Sequence, residues 1–286
     1  MNQLSDLLVD RLRAGADLRL AERATSVPTW WPKDAPDSKK SAAARLEEIG
    51  AELGEYQERL FAAAQGGAED SVLLILQGMD TSGKGGIVRH VVGFFDPQGV
   101  AHHAFKAPTA QERAHNFLWR VEKQLPGHGM VGVFDRSHYE DVLIHRVQKL
   151  SSEEVIESRF PRILDFERRL AGDGVRVVKV MLHISRDEQY QRLSERLERP
   201  DKHWKYAPDD IVDRLLWDEY QAVYQDVLSR TDHQAGGWYV VPADHKWLAR
   251  LCVAELLLHT LKDIDPQWPV TTLDIEAEKR RLEATR

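Results

Sequence analysis

Cysteine is nearly absent from this sequence: Cys252 is the only one among 286 residues. A single thiol forms no disulfide within the chain, so the sequence does not describe a disulfide-rich scaffold. Cys252 stands in the apolar run LARLCVAELLLHTL, and because free cysteines are usually buried we expect a core position for it. The 12 histidines form no H-x-x-x-H pair and no Cys/His ligand set, which argues against a structural zinc site.

Long apolar runs and an excess of positive charge are also missing. No segment approaches the roughly 18 consecutive apolar residues of a membrane span. The beginning of the chain, MNQLSDLLVDRLR, carries acidic residues and lacks the apolar stretch of a signal peptide. The formal net charge is −7, whereas general nucleic-acid binding needs an extended basic surface. We therefore expect a cytoplasmic protein that binds neither membranes nor nucleic acid.

The sequence does contain a regular alternation of short apolar runs and helical stretches. The apolar runs are typical of buried strands and lie at 71–77, 99–105, 130–134, 175–185 and 238–243. Helices are predicted around them at 1–23, 41–65, 87–95, 109–125, 138–149, 152–171, 187–199, 209–230 and 244–264. Strands that alternate with helices predict an α/β fold with a parallel sheet.

We interpret residues 1–286 as a single domain, because the chain has no internal repeat and no low-complexity tract. Residues 1–40 are expected to form an N-terminal helix followed by an extended arm, VPTWWPKDAPDSKK, which contains three prolines. Trp30 and Trp31 in this arm are interpreted as anchors on the surface or on a neighbouring subunit.

The segment QGMDTSGKGG, residues 77–86, has the G-x-x-x-x-G-K spacing of a phosphate-binding loop (P-loop, or Walker A motif). Gly78, Gly83, Gly85 and Gly86 would let backbone N–H groups turn toward a phosphate, and Lys84 adds a positive charge. The alternative is a glycine-rich turn with an exposed lysine. We favour the phosphate loop because the segment follows a predicted strand and precedes a predicted helix.

Two residues of this loop depart from the usual pattern. Asp80 places a carboxylate where anions are expected to bind, and Gly85 occupies the position of the Ser or Thr that usually holds magnesium. Asp80 could stabilise the turn through its own backbone, or it could hold the metal and position an acceptor. We favour the second role, since carboxylate oxygens are preferred ligands of Mg²⁺ and would replace the missing hydroxyl.

A second group of polar residues follows the strand predicted at 130–134. Asp135 would lie at the ligand-binding edge of the sheet and could help to hold Mg²⁺, while Arg136 could bind two phosphate oxygens. The alternative for this pair is a surface salt bridge. Ser137 and Glu140 form an S-x-x-E pattern, so Glu140 taken alone is predicted to be a helix cap rather than a substrate contact.

A basic stripe lies on the helix predicted at 187–199. Arg192, Arg196 and Arg199 share one face of that helix and lead into Lys202 and Lys205. We predict that residues 186–230 form a helical lid that closes over a polyanion and excludes water. The alternative is that Glu188 and Glu195 simply pair with the stripe. Two further candidate anion contacts are Lys106, in FKAPT, and Arg146, which by itself would be a solvated side chain.

Five segments, taken together and in order, resemble the polyphosphate kinase 2 family: GMDTSGKGG, FKAPT, FDRSHYEDV, RLERPDKHWK and WYVVPADHKW. The resemblance implies a thymidylate-kinase-like phosphate-loop fold, a three-layer sandwich with a parallel sheet and a helical lid. It implies reversible phosphoryl transfer between inorganic polyphosphate and nucleotides, and a homo-oligomer, dimer or tetramer. The cofactor would be Mg²⁺, with Mn²⁺ as an alternative, and the nucleotides would carry adenine, with guanine as an alternative.

The resemblance also implies roles for individual residues. The residues implied to be catalytic are Asp80, Lys84, Asp135 and Arg136, with Asp80 and Asp135 as metal ligands. The implied phosphate or nucleotide contacts are Gly78, Met79, Thr81, Ser82, Gly83, Gly85, Gly86, Lys106, Glu140, Arg146, Arg196, Lys202 and Lys205. An acid at the Glu140 position is associated with relatives that accept both AMP and ADP.

Three other functions remain open at this point, and one of them, a structural scaffold, is supported only by the N-terminal arm, which could join subunits. A conventional ATP-dependent nucleoside or nucleoside-monophosphate kinase would share the fold, the loop and the lid, although Gly85 departs from its usual G-K-[ST] motif. A regulatory protein that binds nucleotide or polyphosphate without turnover would not need Lys84, Asp80, Asp135 and Arg136 together. We therefore expect a phosphotransferase that uses polyphosphate.

Overall fold

The computed structural model describes residues 3–286 and is built around one five-stranded, all-parallel sheet. The strands lie in the order β2-β3-β1-β4-β5, so the first strand of the chain is at the centre. All five predicted strands are confirmed. Their bounds are β1 Ser71–Gln77, β2 Val100–Ala104, β3 Val131–Asp135, β4 Val175–His183 and β5 Trp238–Pro242.

The helices of the described chain vary widely in length. The long ones are α2 Lys39–Gln65, α7 Glu153–Gly172, α8 Arg186–Glu198, α10 Trp217–Thr231 and α11 Lys246–Ile264. The short ones are α1 Gln3–Leu12, α3 Lys84–His90, α4 Ala110–Arg113, α5 Trp119–Glu122, α6 Ile144–Val147, α9 Asp209–Leu215 and α12 Ile275–Glu283. Short 3₁₀ helices occur at Leu20–Glu22, Val92–Phe94, Pro97–Gly99, His138–Asp141 and Pro200–Lys205.

Two groups of helices cover the sheet. Helices α1, α2 and α3 pack on α11, which lies against β4 and β5, whereas α7 packs on β4 and carries α6 and α10. This produces three layers, with the fully buried strand β1 in the middle of the core. Parallel strands buried on both faces are expected to be continuously apolar, as the run SVLLILQ is. Cys252 is fully buried on α11 as expected.

The N-terminal segment belongs to the same core. The predicted helix 1–23 is shorter than expected, because α1 ends at Leu12; residues 1 and 2 of that prediction lie outside the described residues. Trp30 and Trp31 are partly buried against the core of this chain, and the Trp31 indole donates to the Pro36 carbonyl at 2.9 Å. No helix within residues 3–286 is long and apolar enough to cross a membrane.

Four of the helices predicted after the N-terminal one are interrupted, and the one at 87–95 divides into α3, which ends at His90, and the 3₁₀ helix Val92–Phe94. The capping box of Thr109 and Glu112 is confirmed, but α4 ends at Arg113 and the Asn116 side chain then accepts a bond from the Leu118 amide at 3.1 Å. Such local bonds compete with helical ones. Residues 138–149 divide into a 3₁₀ turn and α6, and residues 209–230 divide into α9 and α10 at Leu216.

Candidate active site

The predicted phosphate loop lies at the carboxyl end of β1. Gly78 and Gly83 have φ angles of 144° and 114°, which only glycine adopts readily. A Cβ on Gly78 would lie 2.7 Å from the Leu182 carbonyl oxygen, so the loop also needs glycine there for space. Thr81 has a φ of 65° without being glycine, a conformation that the surroundings must stabilise.

Lys84 begins α3 and is almost completely buried beneath the loop. Its ammonium group donates to the carbonyl oxygen of Gly78 at 2.8 Å and lies 3.4 Å from that of Met79. Burial and the nearby charge of Arg136 lower the pKa of Lys84, while Asp80 and Asp135 act in the opposite direction. The lysine is therefore held inside the loop, next to the place where a phosphate would lie.

Asp80 and Arg136 form an ion pair across the site, with Arg136 Nη2 3.0 Å from Asp80 Oδ1. Arg136 follows the last residue of β3 and has a φ of 65°, which turns the chain away from the strand. Burial disfavours the charged form of Arg136, but Glu140 and Asp80 raise its pKa above the ordinary value. The guanidinium is therefore a permanent cation facing the loop.

Glu140 does not cap a helix, and that interpretation of the S-x-x-E pattern was wrong. The Ser137 hydroxyl accepts bonds from the Tyr139 amide at 3.2 Å and from Gln77 Nε2 at 3.1 Å. This turn is a 3₁₀ helix, so the Glu140 side chain enters the site beside Arg136. Burial raises the pKa of Glu140, against the opposing effect of Arg136 and Lys84.

A pocket lies between the loop, the Arg136–Glu140 segment and α10. Its wall contains Tyr220, Tyr224 and Asp213, none of which the sequence pattern identified. The Tyr220 hydroxyl donates to Asp213 Oδ1 at 2.9 Å. Burial and nearby carboxylates raise the pKa of both tyrosines, so the phenols stay neutral. This pocket offers aromatic faces, the carboxylates of Asp80, Glu140 and Asp213, and the guanidinium of Arg136 beside the phosphate loop.

Helix α8 holds the phosphate loop from outside through two buried side chains, Gln189 and Arg192. Gln189 Nε2 donates to the Asp80 carbonyl at 3.2 Å. Arg192 Nη1 donates to the carbonyls of Thr81 at 2.8 Å and Ser82 at 3.0 Å. Three consecutive loop carbonyls therefore point away from the phosphate position, which is the orientation that leaves the amides free for an anion.

The same guanidinium links the loop to the carboxyl end of the edge strand β5. Arg192 Nη2 donates to the carbonyls of Ala243 and Asp244 after β5, at 2.6 and 2.9 Å. Its Nε donates to Glu188 at 2.6 Å. Gln189 and Arg192 are three residues apart in the sequence, a spacing that predicts side chains on the same face of a helix. Only the fold shows that this face of α8 meets the phosphate loop.

The other basic residues of the segment predicted to be a lid pair with acids of the same segment. Arg196 bonds to Asp210 at 2.9 Å and to the Lys205 carbonyl at 3.0 Å. Arg199 and Lys202 pair with Glu195. Lys205 is exposed, with its ammonium 4.9 Å from the centre of the Trp204 ring. The alternative considered for the basic stripe, that its side chains pair with nearby acidic residues, is thus observed in this structure.

Lys106 and Arg146 differ in whether their side chains are free to bind an anion. Lys106 is exposed beyond β2, and no acid within residues 3–286 pairs with its side chain. Arg146 is bound to three carboxylates, at 2.6 Å to both Asp226 and Glu157 and also to Glu153. As an anion contact Arg146 would have to leave this network.

The donors around the loop fit a magnesium ion. Asp80 and the half-buried Asp135 supply carboxylate oxygens, and the hydroxyls of Thr81 and Ser82 are buried without a hydrogen-bond partner. No group of three or more His, Cys, Asp or Glu side chains within residues 3–286 forms a complete metal cage. This is the pattern expected for Mg²⁺, which is usually held by one or two carboxylates together with substrate phosphates.

The comparisons with known proteins agree with this site. The chain is 42% identical over 231 residues, 81% of its length and 85% of the other's, to a protein of Meiothermus ruber named "AMP/ADP-polyphosphate phosphotransferase". It is 40% identical over 232 residues, 77% of its length and 79% of the other's, to an "ADP-polyphosphate phosphotransferase" of Rhodopseudomonas palustris.

A solved structure extends the similarity to the whole fold. The crystal structure of polyphosphate kinase 2 from Arthrobacter aurescens TC1 matches with a TM-score of 0.93 at 46% identity, covering 97% of this chain and 96% of that one. The sequence profile described as "Polyphosphate kinase 2 (PPK2)" matches residues 37–269. The chain belongs to the polyphosphate kinase 2 family.

Proposed function

We propose that this protein is a Mg²⁺-dependent enzyme that transfers a phosphoryl group reversibly between inorganic polyphosphate and adenine nucleotides, with ADP and also AMP as acceptors. One observation carries the proposal: Lys84, Arg136 and Asp80 meet at a phosphate loop that opens beside the Glu140–Tyr224 pocket. Relatives named as polyphosphate phosphotransferases support the donor. Those names and Gly85 disfavour the conventional ATP-dependent kinase.

In this reaction the protein has little covalent chemistry to perform. An oxygen of the acceptor's terminal phosphate forms a bond to the last phosphorus of the donor chain, and the bridging P–O bond to the rest of the chain breaks. The attacking oxygen is already an anion, so no strong general base is needed. Positioning and electrostatic stabilisation account for most of the catalysis.

Each central side chain has a defined task in this scheme. Lys84 and Arg136 stabilise negative charge on the transferring phosphoryl group. Asp80 fixes the guanidinium of Arg136 through the 3.0 Å ion pair. Mg²⁺, or Mn²⁺ in its place, would be held by Asp80 and Asp135 and would neutralise charge on the reacting phosphates.

The acceptor is assigned to the pocket of Tyr220 and Tyr224. Aromatic faces are suitable for contact with a nucleotide base or ribose. Glu140 forms the polar wall nearest the reacting centre, where it can distinguish acceptors that differ by one phosphate. The similarity to the relative named for both AMP and ADP supports this broader acceptor range.

The experiment is a separation of nucleotides after incubation of the purified protein with Mg²⁺, long-chain polyphosphate and either AMP or ADP. We expect ADP and then ATP from AMP, and ATP from ADP. The matched variant Glu140→Gln should change the ratio of the AMP and ADP rates more than their sum. Turnover with ATP as the only effective donor would contradict the proposal.

Two coarser features complete the proposal, a cytoplasmic location and a homo-oligomer. The location is the expectation drawn from the sequence features above, and the homo-oligomer rests on the family resemblance. Light scattering on the purified protein measures the number of chains, and a monomer at working concentration would contradict the expected dimer or tetramer.

A further inference from the structure

Gln77 is a buried polar residue at the carboxyl end of the central strand β1. It opens the phosphate-loop segment QGMDTSGKGG, and its side chain is fully buried. Its Nε2 donates to the Ser137 hydroxyl at 3.1 Å, whereas its Oε1 has no hydrogen-bond partner within residues 3–286. An unpaired buried acceptor costs stability, so an apolar residue would suit this strand better unless the bond to Ser137 has a function.

Ser137 begins the turn that carries Glu140. Its hydroxyl accepts a second bond, from the Tyr139 amide at 3.2 Å, and its carbonyl oxygen accepts a bond from the Glu140 amide at 3.1 Å. The paired part of β3 ends at Asp135, so the bond from Gln77 continues the connection between the two strands beyond their ladder. The position of the Glu140 turn relative to the phosphate loop therefore depends on Gln77.

Gln77 reaches Glu140 from the side of the core. Glu140 lines the acceptor pocket, and Gln77 is not among the described residues of its wall. Burial raises the pKa of Glu140, and Gln77 acts in the opposite direction, as do Arg136 and Lys84. An amide suits this place because it supplies an N–H donor without a charge, whereas a glutamate would put a like charge beside Glu140.

We propose that Gln77 is a positioning residue that sets the preference between AMP and ADP, because its bond to Ser137 holds Glu140 in place against the acceptor. This inference rests on the proposed function, in which Glu140 distinguishes the acceptors, and it adds a residue that acts through Glu140. The reacting phosphate of either acceptor must reach the same donor phosphorus, so the remainder of ADP lies one phosphate further from the loop than that of AMP. A displaced Glu140 therefore affects the two acceptors unequally, and acceptor preference is the ratio of their kcat/KM values.

The test measures kcat/KM for AMP and for ADP with Mg²⁺ and long-chain polyphosphate, in the wild type, Gln77→Met, Glu140→Gln and the double variant. We expect Gln77→Met to change the ratio of the two values about tenfold, as the loss of one hydrogen bond can, and in the same direction as Glu140→Gln. In the double variant the change at Gln77 should alter the ratio by less than about twofold, because residues that act through one another are not additive.

Gln57→Met is the matched control. Gln57 of α2 is also a buried glutamine with one bonded and one unpaired end, since its Oε1 accepts a bond from the Asp96 amide at 2.9 Å and its Nε2 has no partner within residues 3–286. This variant should lose stability without a change in the ratio. Ser137→Ala breaks the bond to Gln77 from the other side. It should shift the ratio in the same direction as Gln77→Met, and it decides the question if Gln77→Met does not fold.

The outcomes separate this inference from the proposed function. Equal losses of both kcat/KM values in Gln77→Met and Ser137→Ala, or an undiminished effect of Gln77→Met in the Glu140→Gln background, would overturn the inference. A ratio that Glu140→Gln leaves unchanged would also overturn it, together with the role of Glu140, although phosphoryl transfer from polyphosphate would stand. A wild-type protein without turnover from polyphosphate would instead overturn the proposed function.

Discussion

Asp80 is the single residue on which the proposed chemistry depends most directly. Asp80→Asn removes the carboxylate that pairs with Arg136 at 3.0 Å but keeps the backbone carbonyl that Gln189 holds. We expect kcat to fall by about a hundredfold or more, as the loss of preorganised electrostatic stabilisation does elsewhere, with a melting temperature near that of the wild type. Steady-state kinetics measures kcat, and thermal unfolding measures the melting temperature.

Asp165→Asn is the matched control, because it removes an exposed carboxylate paired with Arg168 on α7. It should leave the rate unchanged. Wild-type turnover in Asp80→Asn would show that Asp80 is only a turn-stabilising residue.

His183, at the end of β4, makes stability depend on pH. Burial lowers its pKa from 6.5 to about 4, although Asp244 acts in the opposite direction. The unfolded chain therefore binds a proton between these values that the folded chain does not. The contribution of His183 to the free energy of unfolding is fully present above pH 6.5. It is lost as the pH falls toward 4, and the total loss is about 3 kcal/mol.

Urea unfolding at several pH values measures this effect. As the pH falls from 6.5 to about 4, the free energy of unfolding of His183→Gln should decrease by about 3 kcal/mol less than that of the wild type. All other titrating groups are shared by the two proteins, so their effects cancel in the difference. Parallel pH profiles for the two proteins would contradict the assignment to His183.

The residues of the site differ in how well the sequence identified them. The pattern of strand, loop and helix identified Asp80 and Lys84, and the end of the next strand identified Arg136, because each stands at a fixed offset from an apolar run. The local sequence pattern did not identify Glu140 as a residue of the site, and only the family resemblance pointed to it. Its S-x-x-E pattern is local, whereas its position depends on a 3₁₀ turn and on tyrosines of α10 far along the chain.

Among the elements, α8 has the clearest mechanical role, since it holds the phosphate loop and begins the segment predicted to be a lid. Arg192→Gln removes the bonds to the carbonyls of Thr81 and Ser82, leaving buried acceptors without donors. We expect a loss of about 1–3 kcal/mol in stability. We also expect a lower kcat with little change in the nucleotide KM, because the acceptor pocket is not touched.

Urea unfolding and steady-state kinetics on Arg192→Gln, Arg192→Lys and Arg199→Gln test this role. The lysine variant keeps the charge and should recover part of the rate. Arg199 directly follows the same helix but its side chain bonds only to Glu195 and Asp201, so its variant should resemble the wild type. Equal effects of Arg192→Gln and Arg199→Gln would exclude a special role for Arg192.

The strands were easier to predict from the sequence than the helices. A buried parallel strand is a short apolar run bounded by polar residues, and all five runs gave strands. Several helices were predicted too long, and at one of them the side chain of Asn116 accepts a local hydrogen bond just after α4 ends. The apolar periodicity of a sequence indicates which face of a helix is buried, but it does not indicate where a side-chain hydrogen bond competes with the helix.

At the scale of the whole molecule, a buried polar cluster joins parts of the chain that are distant in sequence. Glu167 of α7 binds Lys179 of β4 at 2.6 Å, the Tyr139 hydroxyl at 2.7 Å and His233 at 2.7 Å. Lys179 also donates to the Thr231 carbonyl at 2.7 Å. The order of the strands and this cluster were both beyond sequence reasoning, because both depend on which segments meet in space.

The charges of this cluster depend on one another. Burial alone would raise the pKa of Glu167, but Lys179 and the bonds from His138 and His233 lower it below the usual range. Glu167→Gln leaves the Lys179 ammonium buried without a carboxylate, and Lys179→Met leaves the carboxylate without its cation. We expect each change to cost about 3–5 kcal/mol of unfolding free energy.

A double-mutant cycle followed by urea unfolding tests this dependence. Removing both charges leaves no uncompensated ion, so Glu167→Gln combined with Lys179→Met should cost much less than the sum of the single changes. The exposed pair Asp165 and Arg168 is the control, and its cycle should give a coupling below about 1 kcal/mol. Additive losses at Glu167 and Lys179 would mean that the cluster stabilises the fold by packing alone. A large coupling would mean that α7 and β4, and with them the Tyr139 turn that leads into Glu140, are held in register by one buried ion pair.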